Sequence, residues 1–182
     1  MGRQIALLRG INLGSSNRIA MAALREALAT AGFENVLTYV QSGNIVLDSD
    51  ESPEALARRI HALIAEQFGL DIAVVARTRD ELADVVGRNP LGDVITEPRR
   101  YQVSFLSAAP APELLKRLES LAVAEERVAV IEREIYAWHP EGVARSKLWN
   151  GLAAKGGLGP GITATARNWT TVTTLLEMAD DA

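Results

Sequence analysis

The order of apolar patterns along the chain predicts an α/β fold made of two similar halves. Three observations carry this. The first half reads strand, helix, strand, strand, helix, strand. The second half begins the same order again after a turn-rich stretch. Apolar residues make up 48 % of the 182 positions and charged residues 23 %, which is enough apolar material to bury a sizeable core and argues against disorder.

The elements follow in chain order. "QIALLRG" is a short apolar run, Ile5 to Leu8, and reads as a buried strand. From Met21 the period becomes helical, with Met21, Leu24 and Leu28 on one stripe beside Ala27 and Ala31, and Gly32 as the stop. "NVLTYVQSGNIVLDS" holds two β-rich runs broken by Ser42-Gly43-Asn44, which reads as a hairpin. Leu37, Tyr39 and Gln41 share one face of its first run, and Val36, Thr38 and Val40 the other.

"SPEALARRIHALIAEQFG" is the clearest helix. Ser52 caps it, Pro53 suits its first turn and Glu54 its positive end. Leu56, Ile60, Leu63, Ile64 and Phe68 form its apolar stripe, and Gly69 ends it. "DIAVVAR" is the fourth strand. This order is that of a ferredoxin-like (α/β plait) unit, a four-stranded sheet with two helices on one face.

Thr78 and Glu81 have the spacing of a capping box, opening a short helix through Leu82, Val85 and Val86 that stops at Gly87. The first unit is thus expected over 1–87, with residues 88–98, "RNPLGDVITEP", as a linker, and a second plait-like half over 99–182. In that half "RYQVSFLSA" is a strand. Pro112 to Leu121 is a helix with Leu114, Leu115, Leu118 and Leu121 inward. "RVAVIEREIYAWH" is a hairpin turning at Glu132-Arg133-Glu134, and a short helix runs from Lys147 to Ala154. "KGGLGPGIT" is glycine-rich and Pro160 resists pairing, so the second unit is expected to be incomplete and closed by a C-terminal helix from Asn168 instead of a strand.

Composition excludes several function classes. With no cysteine, disulfides, thiolate metal sites and cysteine nucleophiles are absent, which suits a reducing, cytoplasmic setting. His61 and His139 stand far apart with no carboxylate cluster beside either, so no histidine-rich metal site and no cofactor is expected. The net charge of −4 argues against a generally basic nucleic-acid binder. The apolar run near the start has four residues, too few for a signal peptide or a membrane span.

Two polar stretches are candidate sites. "RGINLGSSNR", residues 9–18, lies at a strand-to-helix turn. Gly10 and Gly14 permit positive φ and the asparagines serve loop amides. Arg9 and Arg18 beside a helix start also suit an anion cradle, although the spacing matches neither the Walker loop nor the dinucleotide fingerprint. "TATARNWTT", residues 163–171, offers Asn168 as a cap, Trp169 as a packing residue, and Arg167 at the positive end of a helix, where a cation needs an anion or a carboxylate to offset the dipole. Ser146 and Lys147 are adjacent, as a nucleophile and base can be, but the pair also reads as a cap followed by a solvated lysine.

"ALLRGINLGSSNRIAMAALREAL", "GFENVLTYVQSGNIVL", "SKL" and "TATARNWTTVTTLLEMA" together resemble a bacterial family known only as domain-of-unknown-function family 1697. The likeness runs over nearly the whole chain. It implies an α/β fold of plait-like units and no established reaction, substrate or cofactor. The polar residues it marks are Arg9, Gly10, Asn12, Asn17, Gln41, Ser42, Gly43 and Asn44, then Ser146, Lys147, Arg167, Asn168 and Trp169. The glycine-rich 156–161 stretch is longer than the family's usual connection.

These residues are expected to converge on one polar pocket between the two halves, suited to a phosphorylated or other anionic small molecule. The alternatives are a hydrolase or phosphoryl-transfer enzyme using Ser146 and Lys147, an RNA-binding sheet, or a partner-binding module. Nucleic acid is the disfavoured partner, no membrane is involved, and a monomer or weak dimer is expected.

Overall fold

The structure is a computed structural model, and it describes residues 1–154 and 156–181. Lys155, the first residue of the glycine-rich stretch, and Ala182 lie outside the described residues. By internal contacts the chain divides into two compact units, Met1–Asp84 with Thr174–Ala182, and Val85–Thr173.

The first unit contains β1 (Gly2–Leu8), α1 (Met21–Thr30), β2 (Glu34–Tyr39), β3 (Asn44–Ser49), α2 (Pro53–Phe68) and β4 (Val74–Thr78), and α3 (Arg79–Arg88) begins in it. Its sheet has the order β2-β3-β1-β4 with every neighbour antiparallel. The sequence signals act as expected. Ser52 Oγ accepts the Ala55 N–H at 3.3 Å, and Gly69 ends α2 at φ 65°. The Thr78–Glu81 box is reciprocal, with Thr78 N donating to Glu81 Oε2 at 2.8 Å and Glu81 N to Thr78 Oγ1 at 3.1 Å. Leu24 and Leu28 of α1 and Leu56, Ile60 and Ile64 of α2 close on Ala6, Leu8, Ile45 and Leu47 of the sheet to form the core.

The second unit repeats the scheme. After two short 3-10 turns (Gly92–Val94 and Pro98–Arg100) come β5 (Tyr101–Leu106), α4 (Glu113–Leu121), β6 (Arg127–Ile131), β7 (Glu134–Trp138), α5 (Lys147–Ala153), β8 (Ala164–Asn168) and α6 (Trp169–Asp180). The sheet order is β6-β7-β5-β8, again antiparallel throughout. Leu114 and Leu118 of α4 and Leu148 and Leu152 of α5 pack on Leu106 and Ile135.

The expectation of an incomplete second unit is corrected here. β8 exists and pairs with β5 from Gln102↔Asn168 to Leu106↔Ala164. Its only apolar side chains are Ala164 and Ala166, of which Ala164 packs on the core, and two alanines are too small to carry a strand signal. On the opposite face Thr165 and Arg167 are buried, and the Arg167 guanidinium is held in the sheet by Thr165 Oγ1 at 2.7 Å and the Ala166 carbonyl at 2.8 Å. A buried polar strand is tolerated when its groups are hydrogen-bonded.

With β8 in place the two units match position by position. Ile5 faces Arg77 and Val103 faces Arg167, while Gln4 faces Thr78 and Gln102 faces Asn168. Leu8 N donates to Gly43 O at 2.9 Å and Leu106 N to Arg133 O at 2.8 Å. Arg9 N donates to Ala73 O at 2.9 Å and Ser107 N to Thr163 O at 2.8 Å. Each last strand ends in a cap: Thr78 for α3, and Asn168 for α6, where Oδ1 accepts the Thr171 N–H at 2.9 Å. Replacing Asn168 by alanine is expected to cost about 1 kcal/mol in a urea unfolding curve, and Asn168→Asp to cost less, because only the former removes the acceptor.

The unit boundary lies inside α3, between Asp84 and Val85, and Thr174–Ala182 groups with the first unit. No helix among the described residues is long and apolar enough to cross a membrane.

Candidate functional site

The β1–α1 loop is folded by its own asparagines. Gly10, Asn12, Gly14 and Asn17 all have φ between 49° and 67°, a region that glycine and asparagine tolerate best. Asn12 is the centre of the loop. Its Oδ1 accepts the Ile19 N–H at 2.9 Å, and its Nδ2 donates to Ile19 O at 2.9 Å and to Gln41 O at 2.7 Å. Asn12 N donates to Asn17 O at 3.0 Å, Asn17 Nδ2 to Gly10 O at 3.3 Å, and Arg18 Nη2 to Gly14 O at 2.9 Å.

The bond to Gln41 brings the β2–β3 turn onto this loop. Asn44 is fully buried, and its Nδ2 donates to Tyr39 O and to Ser42 Oγ, both at 3.0 Å. Gly43 has φ +78°, and a Cβ there would lie 2.6 Å from Leu8 Cβ and 2.9 Å from Ile11 Cδ1. Val40, a β-branched residue, sits at φ 49°, a conformation that costs of order 1–3 kcal/mol. Asn12, Gln41, Ser42 and Asn44 therefore form one constellation with Gly10 and Asn17.

Arg9 is the residue this constellation leaves unused. Its side chain is exposed and makes no hydrogen bond or ion pair with a described residue. Arg18, Gln41, Ser15 and Ser16 are exposed around the same loop. The first 25 residues contain four arginines and no aspartate or glutamate, in a chain whose net charge is −4. Ala20 at the start of α1 supplies no side-chain cap, and the first turn holds no acidic residue, so its N–H groups have no side-chain partner there.

The residues expected from the second half lie in the second unit. Ser146 is buried and caps α5 by accepting the Trp149 N–H at 2.9 Å. Lys147 is exposed. Arg167 is buried, and burial lowers its pKa to about 10. Asn168 caps α6. Trp169 is half-buried, its ring 4.9 Å from that of Tyr101. Of the aromatic residues on strands, Tyr101, Phe105, Tyr136 and Trp138 are buried and Tyr39 is half-buried.

Each histidine has one carboxylate at hand. His139 Nδ1 lies 3.0 Å from Glu126 Oε1 in the interior, and His61 Nε2 lies 3.7 Å from the exposed Asp71. Glu126 and His139 are 13 residues apart and belong to no local motif, so spacing gave no sign of the pair. Among the described residues no group of three or more histidines and carboxylates could hold a metal ion.

The family described as Protein of unknown function (DUF1697) matches residues 1–136, a range that takes in the first-loop constellation and stops before Ser146 and Arg167. The solved structure of the conserved bacterial protein SP0830 from Streptococcus pneumoniae is similar with a TM-score of 0.78 and 22 % identity, over 98 % of this chain and 98 % of that one. That likeness shows a shared fold. No curated protein matches the chain.

Proposed function

The chain belongs to the DUF1697 family of proteins of unknown function, and we propose that its first unit binds a phosphorylated or other anionic small molecule on the β1–α1 loop. The observation that carries this reading is Arg9, a cation with no partner among the described residues on a loop whose asparagines are all engaged in holding its shape. A planar guanidinium takes a phosphate or carboxylate through two parallel hydrogen bonds. Arg18 adds charge, and the Gln41 amide orients the bound group. Preformed loop geometry means little ordering cost on binding. In the second unit Lys147 is the member of the expected set that presents its charge to solvent.

The strand orders support a finer reading of the fold. In each unit a β-α-β-β-α-β chain order with the first strand between the third and the fourth is the ferredoxin-like plait, and the chain reads as two of them in tandem. The cysteine-free composition suits a cytoplasmic setting.

The test is a thermal-shift and calorimetric titration with inorganic phosphate, sugar phosphates and nucleoside phosphates. The expected result is a saturable rise in Tm with at least one of them. Arg9→Glu should weaken that binding more than tenfold, about 1.4 kcal/mol or more, without lowering the Tm of the ligand-free protein. Flat titrations across all three classes, or equal affinity in Arg9→Glu, would overturn the reading.

A further inference from the structure

Three segments of the second unit converge on one buried carboxylate. Glu126 Oε2 accepts the Val123 N–H at 3.1 Å, and Glu126 Oε1 lies 3.0 Å from His139 Nδ1. The Ser146 hydroxyl is near enough to Glu126 to help hold its carboxyl below the ordinary range, and the same Oγ accepts the Trp149 N–H at 2.9 Å. Ser146, which caps the first turn of α5, therefore stands next to the carboxylate. The His139 ring stands edge-on to Trp149, centroids 5.9 Å apart and planes at 89°. His139 is wholly buried, and its Nε2 has no hydrogen-bond partner.

The carboxylate decides the tautomer. It accepts from Nδ1–H, so the neutral ring bears its lone pair on Nε2. A protonated ring would carry a second N–H at Nε2, buried and facing no acceptor, which is costly. We propose that Glu126, His139 and Ser146 form a proton-sensitive latch that holds α5 and the 139–146 connection closed at neutral pH and releases them in mild acid.

The charged groups around the latch do not replace this chemistry. Arg127 donates to the Ala124 and Glu126 carbonyls, and Arg100, the last residue of the turn before β5, donates to the Pro140 carbonyl. On the α5 side Arg145 and Lys147 flank Ser146 and are exposed. Among the described residues Glu126 is the charged side chain that acts on the imidazole.

Burial lowers the His139 pKa from its ordinary 6.5, against the opposing pull of Glu126. Burial pushes the Glu126 carboxyl up, but hydrogen bonds from Ser146, His139 and the Val123 N–H outweigh it and hold the pKa below 4.5. A released histidine regains its ordinary pKa and binds a proton more readily than the latched one. Opening is therefore favoured as pH falls below 6.5 toward the latched pKa, and Glu126 adds the same sign below 4.5.

Hydrogen exchange on the full chain at pH 7.5, 6.5 and 5.5, corrected for intrinsic rates, tests the latch. The opening constant of α5 amides, Trp149 and Asn150 first, should rise by up to about tenfold between pH 6.5 and 5.5, the limit for one linked proton. Amides of β5 should hold steady. His139→Gln keeps a donor for Glu126 without titrating and should abolish the pH dependence. Ser146→Ala cuts the link to α5: its amides should open already at pH 7.5 with no further response to acid, while the His139 ring still titrates by NMR. Unchanged α5 protection in the wild type down to pH 5.5, or the wild-type pH response in either variant, would overturn the proposal.

Discussion

Gly43→Ala will lower the unfolding midpoint of the protein sharply, by the equivalent of about 2–4 kcal/mol in a urea titration. Two independent penalties coincide at this position. The backbone φ of +78° is strained for any residue with a side chain, and the new methyl would stand 2.6 Å from Leu8 Cβ and 2.9 Å from Ile11 Cδ1. Leu8 cannot retreat, because it is fully buried on the central strand and its N–H is bonded to Gly43 O. Gly69→Ala is the control. Its φ is +65° but nothing lies within 4 Å of the added carbon, so it should cost about 1 kcal/mol, the conformational penalty alone. Equal losses in the two variants would mean that the close approach of the β2–β3 turn to β1 contributes nothing.

The second large effect is expected from Asn12→Ala, about 2.5–5.5 kcal/mol. The substitution removes an acceptor from Ile19 N and donors from Ile19 O and Gln41 O, and it places alanine at φ 54°. Each hydrogen bond lost contributes about 0.5–1.5 kcal/mol, and the left-handed backbone adds roughly 1. Asn12→Gly separates the two causes, because it removes the bonds while accepting the backbone. It should recover about 1 kcal/mol relative to alanine, and the remainder measures the clamp. The anion binding proposed for this loop should fall in both variants, since the segment that carries Arg9 loses its attachment to the hairpin turn. Full stability in Asn12→Ala would show that the loop is held by other means.

Local rules read well where one residue meets one backbone group. Ser52, the Thr78–Glu81 box, Gly69 and Asn168 act within four residues of themselves, so their roles follow from spacing. The apolar stripes of α1 and α2 likewise identify the faces that are buried. β8 is hidden because its buried face holds Thr165 and Arg167 and its apolar face only alanines, while apolar alternation is the strand signal that pattern carries. The Asn12–Gln41 bond joins residues 29 apart, and Glu126 meets His139 across 13. Nothing local marks such pairs, since many other acceptors lie at similar separations in the chain.

By itself the amino-acid order determined the succession of strands and helices apart from β8, their caps, the absence of thiol chemistry and the family likeness, because each of these depends on composition or on neighbours a few residues away. Only the tertiary structure decided that a polar strand completes the second sheet, that Asn12 is engaged in shaping the first loop while Arg9 is not, and that a histidine far from any motif shares a buried carboxylate with a helix cap. The physical reason is that a polar side chain satisfies its hydrogen bonds wherever a partner is brought to it. Which partner that is depends on strand register and burial rather than on position along the chain.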